Sequence, residues 1–326
     1  YLQGRYLLAL RGGGNLQKAA RLFEQAVQID SSFADAYGAL GKTYSLLPAY
    51  LSVSDSRSFT EKSEAAIDKA LQLDSDQTEA LIARGYNATY FRWEWDEARA
   101  AFEHALRVSP NHAGVHNFYG DYLGIIGDFE NAEKFERRAM ELDLLADVHL
   151  RDMSVLMRTM GRYEEALAYA QRALELQVSV MGYDELVFSQ IFLKDFEAAH
   201  ESILKMEGLP EVDPGHIAGT WVRYYHAQQD LDRARPYYEK LKAAALANKA
   251  SAAWTAGYAL DIEGIDAALE LLELAYVRRE TWLAGADLDT SEEASTDPRW
   301  LEFWERPGLK ERNALRRKYR AERGEI

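Results

Sequence analysis

The sequence predicts an all-α solenoid, a row of about eight helix-turn-helix units finished by a C-terminal cap. The first supporting observation is a fixed internal period. Gly127 maps to Gly161, Phe129 to Tyr163, Ala132 to Ala166, Ala139 to Ala173 and Leu142 to Leu176, and each pair is 34 positions apart. The second is a stripe of small and aromatic residues at helical spacing, with Ala98, Phe102 and Ala105 as its clearest instance. The third is the abrupt end of this pattern after Arg279, where an aromatic cluster and a basic stretch replace it.

The units follow in chain order. NLQKAARLFEQAVQID supplies Ala19, Phe23 and Ala26; SEAAIDKALQLD supplies Ser63, Ile67 and Ala70; WEWDEARAAFEHALRVSP adds Trp95 at the start and Pro110 at the end. After the pair that sets the period, KDFEAAHESILKME, QDLDRARPYYEKL and EGIDAALELLELA carry the small residue onward at Ala199, Ala234 and Ala268. Partner helices lie between them, marked by Tyr37, Leu40, Gly41 and Tyr44, by Leu81, Gly85 and Ala88, and by Tyr119 and Gly120. Alanine and glycine at a crossing let two helix backbones approach, and the large aromatic fills the space where they splay. The unit holding YFRWEWDEARAAFEHAL is one residue longer than its neighbour, which leaves Trp93 without a repeat position. Gly12 to Gly14, and the stretch from Pro48 to Phe59, are insertions expected to form loops.

These landmarks resemble the tetratricopeptide repeat family from Tyr1 to about Arg279, although the family's proline after the second helix survives only as Pro110. The resemblance implies a right-handed superhelical array, 1–280, followed by a capping segment, 281–326, that contains a basic helix. The opening YLQGRYLLAL and NLQKAARLFEQAVQID also resemble the repeat regions attached to bacterial winged-helix regulators and cyclases. The chain starts without methionine, so it reads as a piece of a longer protein. In the cap, Trp300, Phe303 and Trp304 suit the covering of the last apolar face. The basic stretch from Arg306 to Arg323 reads first as a solvated face, and second as an electrostatic dock for acidic repeats.

Composition narrows the function. With 38 basic and 53 acidic residues the formal charge is -15, which disfavours nucleic acid and anionic lipid as partners. No membrane-spanning run is present. The absence of cysteine excludes disulfides, thiolate metal sites and a cysteine nucleophile, and fits cytosol and periplasm alike, with the cytoplasm favoured. No cofactor and no metal are expected: HExxH, GK[ST] and GxSxG are all missing, and His112 with His116 reads as a solvent-facing or capping pair at a turn. Acids such as Glu164 and Glu165 fall in first turns, where the helix dipole favours them without any catalysis.

What remains is a groove. The resemblance implies that the first helix of each pair lines a concave surface whose residues choose the ligand. By register these are Glu79, Ile82, Tyr86, Asn117, Asp121, Gly124, Arg151, Val155, Arg158, Asp184, Phe188, Arg223 and His226. The selected set is Tyr86, Asn117, Asp121, Arg151, Arg158, Phe188 and Arg223, whose mixed character suits a protein or peptide partner. Arg151, Arg158 and Arg223 could clamp a carboxylate, or pair internally with acids. The family's lysine-and-asparagine clamp is absent. The expected function is therefore a non-catalytic interaction scaffold. The alternative is a regulatory or sensory domain of a larger bacterial regulator or signalling protein, acting by small-molecule binding or homodimerisation.

Overall fold

The computed structural model describes residues 1–51, 56–210, 212–286 and 292–325. Among them there is no strand. Eight antiparallel pairs succeed one another: α1 (Leu2–Leu10) with α2 (Gly13–Ile29), α3 (Ala34–Tyr50) with α4 (Arg57–Leu73), α5 (Thr78–Asn87) with α6 (Trp95–Val108), and α7 (Ala113–Ile126) with α8 (Phe129–Leu142). They continue as α9 (Asp147–Thr159) with α10 (Tyr163–Leu176), α11 (Val180–Phe192) with α12 (Phe196–Glu207), α13 (Pro214–Ala227) with α14 (Leu231–Leu246), and α15 (Ala252–Ile262) with α16 (Ile265–Arg278). Four short or terminal helices follow, α17 (Thr281–Gly285), α18 (Glu292–Thr296), α19 (Pro298–Trp304) and α20 (Leu309–Glu322).

The repeat landmarks form the pair interfaces. Ala98, Phe102 and Ala105 of α6 are buried, as are Ala132 and Ala139 of α8 and Ala166, Ala170 and Ala173 of α10. A side chain on Gly85 would lie 2.6 Å from the Phe102 ring, so the aromatic occupies the volume that the glycine vacates. Turns are built with local chemistry. Asp128, Asp195 and Asp230 cap α8, α12 and α14 through backbone amides, and Gly127 supplies the left-handed residue that ends α7.

Two loop expectations are corrected. Arg11 and Gly12, both at positive φ, reverse the chain by themselves, so Gly13 and Gly14 already belong to α2. Helix α3 runs through Pro48 to Tyr50, and α4 resumes at Arg57; of the expected loop, 52–55 lie outside the described residues. The extra residue near Trp93 is absorbed by one wide π-helical segment, Ala88–Arg92, which turns the chain into a left-handed Trp93 at φ 58°.

The terminal segment covers the last pair and also fastens it to the third and fourth. Trp300, Phe303 and Trp304 are buried, and the Trp95 indole donates to the Gly308 carbonyl at 2.7 Å. Trp93, 2% exposed, packs on Tyr276 of α16 with ring centroids 5.2 Å apart, while the Arg279 guanidinium lies 4.3 Å over its ring. The basic stretch only partly matches the solvated-face expectation. Arg312, fully buried, donates to Leu283 and Ala284 carbonyls at 2.7 and 2.8 Å; Arg316 reaches the Ile125 carbonyl at 2.7 Å, and Arg323 that of Gly127 at 2.5 Å. These carbonyls lie at or just beyond the C-terminal ends of α17 and α7, where backbone acceptors are unsatisfied and the dipole favours cations. The array therefore closes on itself.

Candidate functional site

Closure puts the first helices of the pairs around a narrow interior. The Arg151 guanidinium of α9 reaches the Tyr50 hydroxyl at the end of α3 at 3.4 Å, across 101 positions, and Gln177 donates to the Leu10 carbonyl at 3.2 Å. A cavity of about 200 Å³ opens here. Its walls are Pro48 and Ala49 of α3, Arg151, Asp152 and Val155 of α9, Met181, Asp184 and Glu185 of α11, His216 of α13, Trp254 of α15, and Thr281 and Trp282 of α17. Ser56, the turn Lys249–Ser251 and Glu280 complete it. Every full-length helix that contributes is the first of its pair.

One side of this interior is a column of stacked groups, one from each successive unit. Arg158 lies 4.2 Å from the centroid of Phe188, and Arg223 stacks on Phe188 at 3.2 Å. Arg223 also sits 4.8 Å from the Trp254 ring, and Trp254 stacks on Trp282 at 6.0 Å with an interplanar angle of 22°. Arginine suits such layers because its planar, weakly hydrated cation lies flat on π faces. The column ends at Trp282, which is 55% exposed.

The arginines have internal partners. Arg151 donates to Asp147 at 2.9 Å and Arg158 to Glu185 at 3.2 Å, while Arg223 has Asp184 at 3.9 Å. Asp184 also pairs with His216 at 2.5 Å. Burial would raise Asp184 and lower His216, but their attraction outweighs it, holding the carboxyl below and the imidazole above their ordinary ranges.

Around the wall, Asn117 donates to Glu136 at 3.1 Å and to Asp152 at 2.8 Å, and the Tyr90 hydroxyl donates to Asp121 at 2.5 Å. Burial, reinforced by the nearby Asp152, pushes Asp121 up to about 7 and Glu136 well above the usual carboxylate range. Near α1 the buried Lys42 donates to Glu79 at 2.7 Å; burial alone would raise Glu79, yet Lys42 and His112 hold it low.

Of the residues chosen by register, Arg151 and Val155 with Asp184 line the cavity, and Arg158, Phe188 and Arg223 form the column beneath it. Asn117 and Asp121 belong to the carboxylate network, and Tyr86 packs on Tyr90, Phe91 and Phe118. Ile82 is fully buried in the core and His226 pairs with Asp261 at 2.6 Å, away from the cavity lining. Sequence reasoning missed Asp152, His216, Trp254 and Trp282. Carrying the register one unit further, into 252–258, would have reached Trp254. His112 stands at the N-cap position of α7 without a side-chain capping bond and lies 3.6 Å from Glu79, while His116, expected to face solvent or cap, is buried and bonds the Pro110 carbonyl at 2.8 Å. Among the described residues no group of three or more His, Asp or Glu has the geometry of a metal centre, and no helix is long and apolar enough to cross a membrane.

Residues 149–184 match a family model for the tetratricopeptide repeat. No curated protein matches the chain in sequence. Several solved structures share its fold. Human IFIT1, solved as a dimer with m7Gppp-AAAA, superposes with a TM-score of 0.64 at 17% identity, over 84% of this chain and 70% of that one. The APC/C hetero-tetramer Cut9-Hcn1 gives 0.58 at 17% identity, over 83% of this chain and 48% of that one. A tetratricopeptide repeat protein from Parabacteroides merdae gives 0.50 at 16% identity, over 81% and 93%. Residues 149–184 thus carry a tetratricopeptide repeat, and the chain as a whole has the all-α superhelical fold of such arrays.

Proposed function

We propose that this chain is a non-catalytic scaffold that holds a segment of a partner protein in its concave chamber. The observation that carries this reading is the cavity walled by first helices, with charged, aromatic and apolar groups side by side. Of the register-chosen residues Arg151 acts here as a wall residue and Arg158, Phe188 and Arg223 as the column that supports it, while Tyr86, Asn117 and Asp121 lie outside the cavity lining. Arg151 and Arg158 are paired with Asp147 and Glu185, so they shape the chamber instead of seizing an acidic ligand. The Cut9-Hcn1 assembly, in which a chain of this fold sits in a hetero-tetramer, supports an interaction role.

A photoreactive benzoylphenylalanine placed at Val155 or Thr281 in the chamber, and at Lys134 on the second helix α8, tests this in native cells. Cross-links to a partner from the chamber positions and none from Lys134 are expected. Partner cross-links arising only from Lys134 contradict the reading.

A further inference from the structure

We infer that the chamber has a seat for a single cationic side chain, an arginine of the partner, between the open face of Trp282 and the carboxylate of Asp152. This rests on the proposed chamber reading and assigns the chemistry of its ligand. The column of Arg158, Phe188, Arg223, Trp254 and Trp282 alternates guanidinium and π layers and then stops at two indoles. The inner face of Trp282 is taken by Trp254, while the side chain is 55% exposed at the cavity rim. A further guanidinium layer continues the alternation, as a π face attracts a cation more than a neutral group.

The charges around the cavity favour the same ligand. Its lining holds Asp152, Asp184, Glu185 and Glu280 against Arg151, Lys249 and His216, in a chain of net charge -15. Asp184 is paired with His216 and Glu185 with Arg158; Glu280 accepts from Ser251 and from the Ala252 and Ala253 amides, fixing the start of α15. Asp152 is different. It accepts one hydrogen bond, from Asn117, and no cation lies within ion-pair distance of it among the described residues. A half-buried carboxylate outside any ion pair, with Arg151 a cation that feels its charge, lines the same cavity as an uncovered indole, and the two present complementary halves to a guanidinium.

The whole chain is titrated with N-acetyl-L-argininamide, its neutral isostere N-acetyl-L-citrullinamide, and N-acetyl-L-glutamate, read by the indole N–H resonances. The Trp282 signal is assigned by Trp282→Phe. The expected result is saturable movement of that signal by the arginine probe, a response at least about five-fold weaker with citrulline, and loss of the preference in Asp152→Asn, read at Trp282, and in Trp282→Ala, read at the stacked Trp254 indole. Circular dichroism melts of both variants confirm folding. Equal response to all probes, a preference for glutamate, or an arginine response surviving both substitutions overturns the proposal. Chamber cross-links to a partner accompanied by no arginine preference defeat this inference and leave the scaffold reading standing; absence of chamber cross-links defeats the scaffold reading.

Discussion

Trp93 and Asp121 show how individual side chains acquire roles that their neighbours in sequence do not disclose. In sequence Trp93 is the supernumerary residue of a lengthened unit; in the structure it is the buried contact at which the eighth pair meets the third, wedged by Tyr276, Arg279 and Gly308. Trp93→Ala is expected to cost about 3–5 kcal/mol by leaving a cavity there, measured by urea denaturation. Gly308→Ala is also destabilising, because the residue sits at φ +85° and the new methyl would lie 2.7 Å from Trp93 Cβ. Asp121 gives a pH signature. Its folded value, pushed up to about 7, means that it binds a proton in the native state which the unfolded chain has released. The stability it contributes is present below the ordinary carboxylate range and is lost as pH rises through about 7. Asp121→Asn should therefore gain on the native chain between about pH 4 and about pH 7, seen as a growing difference in Tm. A difference that stays constant, or moves the other way, contradicts the assignment.

Among the helices, the pairs were legible because their signal is local. A small residue, an aromatic and a second small residue spaced along one helix describe that helix's own crossing, as Ala98, Phe102 and Ala105 do. The glycine run was misread as a loop because Arg11 takes a left-handed conformation that its identity does not advertise. The basic helix α20 was half legible. Lys310, Lys318 and Arg320 are solvated, as the charge run suggested, whereas Arg312, Arg316 and Arg323 satisfy helix-end carbonyls whose positions only the assembled fold defines. Replacing the buried Arg312 by methionine should cost about 2–3 kcal/mol, since the Leu283 and Ala284 carbonyls are left buried without donors. A chemical-denaturation midpoint equal to that of the native chain would show that α20 is not held this way.

For the whole molecule, the sequence reading reached the superhelical array and the helices that line its inside, but not its closure. The bond from Trp95 to Gly308 spans 213 positions, and no periodic pattern records which distant surfaces meet. The same limit applies to the chamber: register placed Phe188 on the wall, yet its position between Arg158 and Arg223 depends on three successive units stacking at one angle. Closure matters for the proposed scaffold role because it draws α3, α9 and α17 around one cavity, where an open array would leave their residues on a broad face. The chain's lack of cysteine allows a direct test. Spin labels on cysteines introduced at the exposed Lys134 of α8 and Lys318 of α20 report the separation of the fourth unit from the terminal helix by pulsed electron resonance. A single narrow distance distribution is predicted, broadening and lengthening when Arg316→Ala and Arg323→Ala are combined. A broad or long distribution in the otherwise native chain, unchanged by that double substitution, would contradict the closed array.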